Sequence, residues 1–540
     1  MELDKKTKIK FNIVAIISII IFAFAITPKT LQNDTFYTIE IGKFILENGI
    51  TKQDPFSWHE LSYTFPHWAY DVMIYLIYNI GGHLGIYIST IVFAATLGLI
   101  MYFTTSKLTK NKPLSYLLTI AGLFLIKNFI AARAQLVTFI LFALELYFIE
   151  SLLETKKKRY AFGLIIIPIL LANLHVAVFP FYFILYLPYI AEYLICVFIE
   201  FIKNRPQAKI KAINKKIEKI TDEKELEKLN NKLKNLQEKL NKGKKEKEPY
   251  KITIKYKKVT KWLILIMVIC LFAGFLTPLG EIPYTYLVKT MQGNSTQNIS
   301  EHLPLTLANN LRYASVLVFF LAILIFTDTK IRLCDLFMLG GLTILTFMSR
   351  RQESMFIIIC MPIFVRLVTA FFNKYDKNAI NIVTKGMTSI YGIINIICIT
   401  LIISMFLYNT RYKDEYVSKS SYPVQASDWI LENLDINEIK LYNEYNFGSY
   451  LLHKGIPVFV DSRADLYLPE FNKDVHIFSD FLNISGLSTK NIDGQFKKYG
   501  FTHFLVNSKA KLTIYLDAKP EEYTRIYSDD YFYIYEKTTK

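Results

Sequence analysis

Residues 11–27 read FNIVAIISIIIFAFAIT, an apolar run long enough to cross a lipid bilayer as a helix. The chain of 540 residues is 52% hydrophobic and only 20% charged, with a mean hydropathy of +0.27, whereas a soluble protein carries about 25% charged residues. We therefore expect an α-helical polytopic membrane protein with about 11 spans. The further predicted spans are 84–103, 114–130, 135–150, 160–174, 177–202, 262–278, 312–327, 333–348, 354–372 and 387–408, with an interfacial helix at 68–80.

Lys and Arg concentrate in alternate short loops, and the cytoplasmic loops of membrane proteins carry such an excess. The basic segments are 5–10, 107–112, 156–159 and 203–261. This pattern predicts a multi-pass protein of the cell (plasma) membrane with a cytoplasmic N-terminus. The loops 28–83 and 279–311 are then expected outside, as is the chain after residue 408. A cleaved signal peptide is the competing interpretation of residues 1–27, but it also leaves residue 28 onward outside.

A strongly basic segment, residues 203–261, interrupts the predicted spans, and we call it the insertion. It holds 21 Lys and Arg against 8 Asp and Glu, so it carries +13 of the net charge of +17. This location beside the membrane argues against a nucleic-acid partner. The segment is either an arm that binds a cytoplasmic protein or anionic membrane lipids, or a solvated helical insertion. A cytoplasmic coiled coil or helical hairpin, with a break near Thr221-Asp222 where a second helix can begin, is predicted from the spacing of Leu226, Leu229, Leu233, Leu236 and Leu240.

Residues 409–540, the tail, alternate helical stretches with short β-rich runs. This alternation predicts a small extracytoplasmic α/β domain with a mainly parallel sheet. In it, Asp461, Arg463 and Asp465 follow an apolar run that we expect to be a strand, where ligand-binding residues of parallel sheets often lie. They are candidates for substrate binding, or alternatively a structural Asp–Arg cluster. The expected divisions are an N-terminal membrane domain (1–202), the insertion, further membrane helices (262–408) and the tail.

The sequence contains no nucleotide-binding or metal-binding motif. It has neither G-x-G-x-x-G nor a P-loop, and its 5 cysteines include no CxxC pair and no metal spacing. We therefore expect no cofactor, and a divalent metal ion is left open.

The first external loop contains NDTFYTIEIGKFILENGITKQDPFSWHELSYTFPHWAYD, residues 33–71, which is aromatic and rich in ionisable side chains. Residues 36–48 have the period of an amphipathic helix that lies along the membrane surface. Asp34 precedes them directly after the first span, so its carboxylate is a candidate general base at the membrane face. The alternative is that Asp34 caps a helix that begins at Thr35, because Asp is favoured at that position.

Several fragments of the sequence, taken in order, resemble one family. Besides Asp34 and its aromatic helix, they are G-I-x-x-x-D-P-F-S at 49–57, His67-Trp68, Ala-Asn-Leu-His at 172–175, Arg350-Arg351 and NEYNFGSYLLHKGIPVFVDSRADLY at 443–467. Together they are similar to bacterial polytopic glycosyltransferases of the GT-C superfamily, in a branch with an external C-terminal domain. The resemblance covers nearly the whole chain except the insertion.

The resemblance implies a GT-C-like membrane enzyme that transfers a sugar from a polyprenyl-phosphate-linked donor to an external acceptor. On this resemblance, Asp34 corresponds to the acidic residue of the first loop that serves as the catalytic base in the family. The second external loop, 131–134, lacks the carboxylate that metal-dependent oligosaccharyltransferases use, and the first loop lacks the Asp-Glu pair of protein mannosyltransferases. We therefore expect an inverting, metal-independent site, and leave open whether the acceptor is a glycan, a lipid or a protein.

A phosphate-bearing donor requires cations, and cations beside spans are functional candidates because positive charge is otherwise scarce outside. The candidates for binding the donor phosphate are Arg133, His175, Arg350 and Arg351. The alternatives are interfacial snorkelling of the arginines and an ordinary hydrogen bond for the histidine. Asp54 and His67, from the loop motifs, are further candidates for substrate binding.

Two other functions fit the sequence. A flippase or exporter of lipid-linked glycans would carry ionisable residues along a central path, whereas here they gather at the ends of spans. A non-enzymatic scaffold of the cell envelope would bind glycans through the tail and recruit a cytoplasmic protein through the insertion. Deletion of residues 207–250, followed by an assay of glycan production, separates this scaffold from the enzyme.

Overall fold

The computed structural model describes the chain except residues 1–4, 218–222, 244–250, 255–257, 294–297, 412 and 539–540. Within these limits the protein is mostly helical. By length and composition alone, 6 of the described helices could cross a membrane: Lys6–Ile26, Trp68–Thr109, Ala134–Thr155, Val176–Ile202, Arg350–Tyr375 and Ile390–Asn409. Shorter apolar helices lie at Lys112–Leu125, Thr260–Phe275, Leu311–Phe326 and Leu333–Met348. The fold is therefore compatible with a helical membrane protein, while the number of spans stays a prediction.

The apolar helices pack together in a bundle. Its helices are Lys5–Ile26, Trp68–Thr109, Lys112–Leu125, Ala134–Thr155, Lys158–Leu174, Phe179–Ile184, Leu187–Ile217, Thr260–Cys270, Leu311–Phe326, Leu333–Met348, Glu353–Tyr375, Lys377–Thr388 and Ile390–Asn409. Helix Lys5–Ile26 buries one face, with Phe11 and Ile19 inaccessible, while Ile13 and Ile17 on its other face are about half exposed. An apolar stripe left exposed at helical spacing is what a lipid-facing helix requires.

Helix Trp68–Thr109 changes direction at Gly82, whose φ of +56° and ψ of −148° lie outside the helical region. Glycine adopts such a conformation readily because it has no Cβ. The part before the kink packs closely on helix Asn33–Asn48, since a Cβ added to Gly42 would lie only 2.1 Å from the backbone oxygen of Asp71. The helix predicted at 68–80 is thus one arm of a kinked helix, and the kink falls at the predicted break.

A buried ionic cluster links helices of the bundle. Its member on helix Ala134–Thr155 is Glu150, which lies roughly 24 Å along the helix from its first residue. Arg332 contacts Glu150 at 2.5 Å and Asp335 at 2.6 Å, and Arg366 contacts Asp335 at 2.5 Å. The Tyr189 hydroxyl donates a hydrogen bond to Glu150 at 3.0 Å. Each charge has a partner of opposite sign, which is the condition under which charges are tolerated in an apolar interior.

The insertion begins as a continuation of helix Leu187–Ile217, and helix Glu223–Gly243 packs against that continuation. Ile213 is buried, and Leu229 and Leu233 are partly buried. The break predicted at Thr221-Asp222 lies outside the described residues. After the insertion's helices, the short strand β1 (Ile252–Thr253) pairs in parallel with β2 (Ile331–Arg332).

The tail contains a 4-stranded sheet in the order β3-β4-β6-β5. Its strands are β3 (Leu441–Asn443), β4 (His503–Asn507), β5 (Tyr523–Ser528) and β6 (Phe532–Lys537). β3 is parallel to β4, but β6 is antiparallel to both of its neighbours. The prediction of a mainly parallel sheet is therefore wrong, because the short turn between β5 and β6 permits only antiparallel pairing. The tail helices are Val424–Asn433, Tyr445–His453, Ile477–Gly486, Ile492–Tyr499 and Lys511–Asp517.

The run PVFVDSR, residues 457–463, was expected to be a strand, and it forms no strand in the described tail. It is extended and buried, and it pairs with the first loop through a single bridge between Ser57 and Val458. The backbone N–H of Trp58 donates to the Val458 oxygen at 3.3 Å. The residues at 461–465 thus follow a buried segment packed on another part of the chain, and this burial accounts for its apolar, strand-like composition.

The first loop, which spans residues 28–67 in the structure, shares one hydrophobic core with the tail. The Phe36 and Tyr450 rings lie 5.2 Å apart between centroids, at 82° to each other. The Ser62 N–H donates to Asn472 Oδ1 at 2.8 Å, and the Asn472 amide donates back to the Ser62 oxygen at 3.0 Å. The loop is therefore held on the tail and not free above the bundle.

Candidate functional site

A cavity of about 620 Å³ lies where the bundle, the first loop and the tail meet. The candidate residues that line it are Asp34, His67, Arg133, His175, Arg351, Arg463 and Asp465. Asp54, Arg350 and Asp461 are the candidates that do not line it. Side chains from distant parts of the sequence therefore face one space.

Asp34 lies in the first turn of helix Asn33–Asn48, whose N-cap residue is Gln32. Asp34 is thus inside the helix and is not its cap. Its Oδ2 lies 2.5 Å from a guanidinium nitrogen of Arg133, and its side chain is 19% exposed. Oδ1 has no hydrogen-bond partner within the described part of the chain, so one carboxylate oxygen is oriented by Arg133 while the other faces the cavity.

Arg133 joins Asp34 to a second carboxylate, that of Glu301. Its Nη1 donates to the two oxygens of Glu301 at 3.0 and 3.3 Å. Burial lowers the pKa of Arg133, but the two carboxylates outweigh it and raise that pKa above its ordinary value. For Glu301 the directions are opposite. Burial raises its pKa, but the charges of Arg133 and Arg351 outweigh burial, so the pKa of Glu301 is lower than its ordinary value. The sequence alone does not single out Glu301, for which the only signal is an acidic residue in the loop 279–311.

Arg350 and Arg351 are adjacent in sequence but have different surroundings. They lie in a 3₁₀ turn, Arg350–Gln352, in which consecutive side chains point about 120° apart. Arg351 lines the cavity, and its guanidinium forms no ion pair or hydrogen bond with any residue that the structure describes. Arg350 turns away, and its Nε donates to the Pro304 oxygen at 3.4 Å. Only Arg351 of this pair offers its charge to the cavity.

His67 and His175 form a pair in the cavity wall, with ring centroids 4.8 Å apart. Burial lowers the pKa of His67 to about 3, assisted by repulsion from Arg351 and Arg133. Burial, His67 and the same two arginines hold the pKa of His175 well below its ordinary value. Both imidazoles are therefore neutral at physiological pH and face the cavity as hydrogen-bonding groups without charge.

Asp54, Asp461 and Arg463 form a buried ionic cluster at the cavity wall, in which only Arg463 lines the cavity. Arg463 contacts Asp54 at 2.5 Å and Asp461 at 2.6 Å, and the three side chains are at most 2% exposed. The Tyr467 hydroxyl donates to Asp461 at 2.7 Å. The geometry is that of the structural Asp–Arg cluster considered as an alternative, and it fastens the first loop to the tail.

Asp465 connects the tail to helix Ile282–Gln292. Its Oδ2 accepts hydrogen bonds from the Tyr286 hydroxyl at 2.8 Å and from the Thr290 hydroxyl at 3.1 Å. Burial raises the pKa of Asp465, and the two hydrogen bonds oppose that rise only in part. Tyr286 and Thr290 also line the cavity, and they were not predicted because no motif surrounds them.

In chemical terms the cavity offers a carboxylate that can accept a proton and a guanidinium that can bind an anion. Among the described residues, no three His, Cys, Asp or Glu side chains are grouped so that they could hold a metal ion. Aromatic and apolar side chains of the tail complete the wall: Tyr445, Leu466, Phe478, Phe481 and Leu482. Such a wall suits a ligand with both a charged and an apolar part.

Comparison with known proteins adds no family assignment to this geometry. No family model matches the chain, and no curated protein matches it. The function therefore rests on the residues of the cavity.

Proposed function

We propose that the protein is an integral-membrane glycosyltransferase that moves a sugar from a polyprenyl-phosphate-linked donor to an external acceptor, as the resemblance to the GT-C superfamily implies. The observation that carries this proposal is the cavity that holds the Asp34 carboxylate together with the Arg351 guanidinium. A base, and a cation that forms no ion pair with any described residue, are the two groups that displacement of a phosphate leaving group requires.

In the proposed reaction Asp34 is the general base. Its carboxylate takes the proton of an acceptor hydroxyl, and the hydroxyl oxygen forms a bond to the anomeric carbon of the donor sugar. The bond between that carbon and the phosphate oxygen breaks, and the electron pair leaves with the polyprenyl phosphate. This single displacement inverts the anomeric configuration. The ion pair with Arg133 at 2.5 Å orients the carboxylate.

Arg351 is the residue that we assign to the donor phosphate. The negative charge on the leaving phosphate increases as the bond breaks, and a nearby guanidinium stabilises it. Arg133 contributes less, because Asp34 and Glu301 already balance its charge. Arg350 does not face the cavity, so we propose no contact between it and the donor.

The tail completes the site from the side opposite the bundle. Asp465 and the aromatic rings of Tyr445 and Phe481 face the cavity, and aromatic rings are suitable surfaces for sugar rings and for lipid chains. We propose that the acceptor enters along this wall. Asp54, Asp461 and Arg463 then act by holding the first loop in place.

We place the cavity on the external side of the cell membrane, with the N-terminus and the insertion in the cytoplasm. Helix Ala134–Thr155 begins beside the cavity at Arg133 and ends before the basic turn 156–159. The positive-inside rule assigns that basic turn to the cytoplasm. The opposite end of the helix, and the cavity with it, then lies outside.

Asp34→Asn tests the catalytic role directly. The amide keeps the shape of the side chain but cannot accept a proton, so transfer should fall by roughly 10²–10⁴-fold. The measurement is the transfer of labelled sugar in membranes that contain the full chain, with thermal unfolding in detergent as the check of folding. Glu47→Gln, an exposed change on the same helix, is the matched control and should leave transfer unchanged. Wild-type transfer by the Asp34→Asn protein would refute the proposal.

Experiments on the wild type, on Asp34→Asn and on the deletion of residues 207–250 distinguish the proposed enzyme from the two alternative functions. A flippase would move a lipid-linked glycan across a proteoliposome membrane without forming a new glycosidic bond. A scaffold would tolerate Asp34→Asn and lose glycan production in cells when residues 207–250 are deleted. The proposed enzyme shows the reverse pattern, with transfer that needs Asp34 and continues without residues 207–250.

A further inference from the structure

Two fragments that lie far apart in the sequence meet in the cavity wall. One is His67-Trp68 of the first loop, and the other is the segment that ends in Asn173 and His175. The Trp68 indole N–H donates to Asn173 Oδ1 at 3.2 Å. Beside this contact the His67 and His175 rings lie edge to face at 63°. The positions of both imidazoles are therefore defined by contacts on more than one side.

The hydrogen bonds of His175 determine which of its ring nitrogens carries the proton. Its Nδ1 lies 2.8 Å from the Thr138 hydroxyl, and that hydroxyl donates to the Ala134 oxygen at 3.1 Å. A hydroxyl has one proton to donate; we assign it to the Ala134 oxygen, so that Thr138 accepts a hydrogen bond from Nδ1–H of His175. The other nitrogen, Nε2, is then left with its lone pair, and it has no partner in the described part of the chain.

A neutral nitrogen with a lone pair does not suit a phosphate oxygen, because both atoms are acceptors. It suits a hydroxyl group, which can donate to it. Burial and the neighbouring Arg133 and Arg351 keep both imidazoles uncharged. The cavity wall thus carries a cation, Arg351, and two uncharged imidazoles, His175 and His67, of which His175 presents an acceptor nitrogen.

We propose that His175 Nε2, together with His67, accepts hydrogen bonds from the hydroxyl groups of the donor sugar, while Arg351 binds the phosphate to which that sugar is attached. This inference rests on the proposed glycosyltransferase function and assigns specificity for a sugar to the histidine pair. The pair is thus a specificity determinant and takes no proton in the reaction.

The test compares two ligands of equal charge. One is undecaprenyl phosphate esterified to a hexose, prepared with glucose, galactose and mannose in turn. The other is undecaprenyl phosphate esterified to cyclohexanol, which has a six-membered ring without hydroxyl groups. We expect the full chain in lipid nanodiscs to bind at least one hexosyl ester about tenfold more tightly than the cyclohexyl ester, since a net gain of one good hydrogen bond corresponds to about that factor.

Variants then show which residue causes the preference for the hexosyl ester over the cyclohexyl ester. His175→Phe should bring the affinity ratio close to one while the affinity for the cyclohexyl ester is unchanged. Arg351→Gln should weaken both ligands by a similar factor and keep the ratio. Thr138→Val removes the partner of Nδ1–H and should reduce the ratio in part, which provides a second variant if His175→Phe does not fold. Thermal unfolding of each protein establishes whether it is folded.

The outcomes separate this inference from the function on which it rests. A wild-type protein that binds neither ester contradicts both proposals. Equal binding of the two esters, or an unchanged ratio in folded His175→Phe, overturns the histidine assignment alone. So does an affinity for the hexosyl ester that rises as the pH is lowered from about 8 to about 5. A phosphodiester keeps its charge over that range, so such a rise would mean that a histidine binds phosphate as a cation.

Discussion

The carboxylate of Asp54 is buried against Arg463, and the two side chains are at most 2% exposed. Asp54→Asn removes one charge and leaves the cluster incompletely paired, so the free energy of unfolding should fall by about 3–5 kcal/mol. Asp428→Asn is the matched control, because Asp428 pairs with Lys454 at 2.7 Å while 51% exposed, and its loss should cost less than about 1 kcal/mol. Unfolding by heat or urea in detergent measures both. Equal losses in the two variants would show that the buried cluster does not hold the loop.

Glu444 gives the tail a dependence on pH. Burial raises its pKa from 4.5 to about 7 in the folded protein. Between these values the folded state holds a proton that the unfolded state has lost, so stability is greatest below pH 4.5 and decreases until about pH 7. Glu444→Gln removes this decrease and should be more stable than wild type by about 3 kcal/mol at pH 8, with little difference near pH 4. Urea unfolding at pH 4 and pH 8 measures the difference in stability between Glu444→Gln and the wild type. A difference that does not depend on pH would contradict a raised pKa for Glu444.

At this scale the sequence indicated most of the charged residues of the site. Arg133 and Arg351 stood out because charge is scarce at the ends of apolar helices, and Asp34 because it directly follows the first apolar helix. Glu301 and Tyr286 did not, since an isolated acid or tyrosine in a loop has many ordinary explanations. Arg350 and Arg351 could not be told apart either, because their different directions depend on the 3₁₀ turn that contains them.

At the scale of helices, the kink at Gly82 sets the direction of the arm that begins at Trp68 and packs on helix Asn33–Asn48. Gly82→Ala should destabilise the protein by about 1–3 kcal/mol, because residues with a Cβ rarely adopt a φ of +56° with a ψ of −148°. Gly81→Ala is the matched control. A Cβ at either position would meet no atom within 4 Å, and Gly81 has no positive φ, so that variant should be neutral or slightly more stable. Thermal unfolding measures the stability of the two variants. Equal losses of stability in Gly82→Ala and Gly81→Ala would mean that backbone strain at Gly82 is not the cause.

Hydropathy located the apolar helices well, because burial in lipid or in a bundle demands long apolar runs. It failed in the tail at PVFVDSR, residues 457–463, since complete burial produces the same composition whether a segment pairs in a sheet or packs on a loop. The direction of β6 was missed for a similar reason. The composition of a short strand does not determine which strand it pairs with or in which direction.

At the scale of the molecule, the proposed orientation places the loop 156–157 in the cytoplasm and the tail outside. Lys157→Cys and Lys419→Cys introduce thiols at two exposed positions, and the wild type, in which 4 of 5 cysteines are buried, is the background control. A maleimide that cannot cross membranes should label Lys419→Cys in intact cells. It should label Lys157→Cys only after the membrane is permeabilised. The opposite pattern would reverse the orientation and place the cavity in the cytoplasm.

The shared core of the first loop and the tail could not be predicted from the sequence. Its contacts join residues about 400 positions apart, as between Ser62 and Asn472, and neither partner has a local pattern that identifies the other. The sequence therefore indicated which residues could be chemically active, and the tertiary structure decided which of them share a cavity.

The distance along the chain between the two halves of this core has a consequence for biogenesis. Arg463 follows Asp54 by 409 residues, which at about 5–20 residues per second corresponds to roughly 20–80 s of synthesis. During that interval the first loop is already made, but the surface on which it packs does not yet exist. The cavity can form only after the tail has been synthesised, because the tail supplies part of its lining. Until then the first loop lacks the surface on which it packs, and its apolar side chains stay exposed.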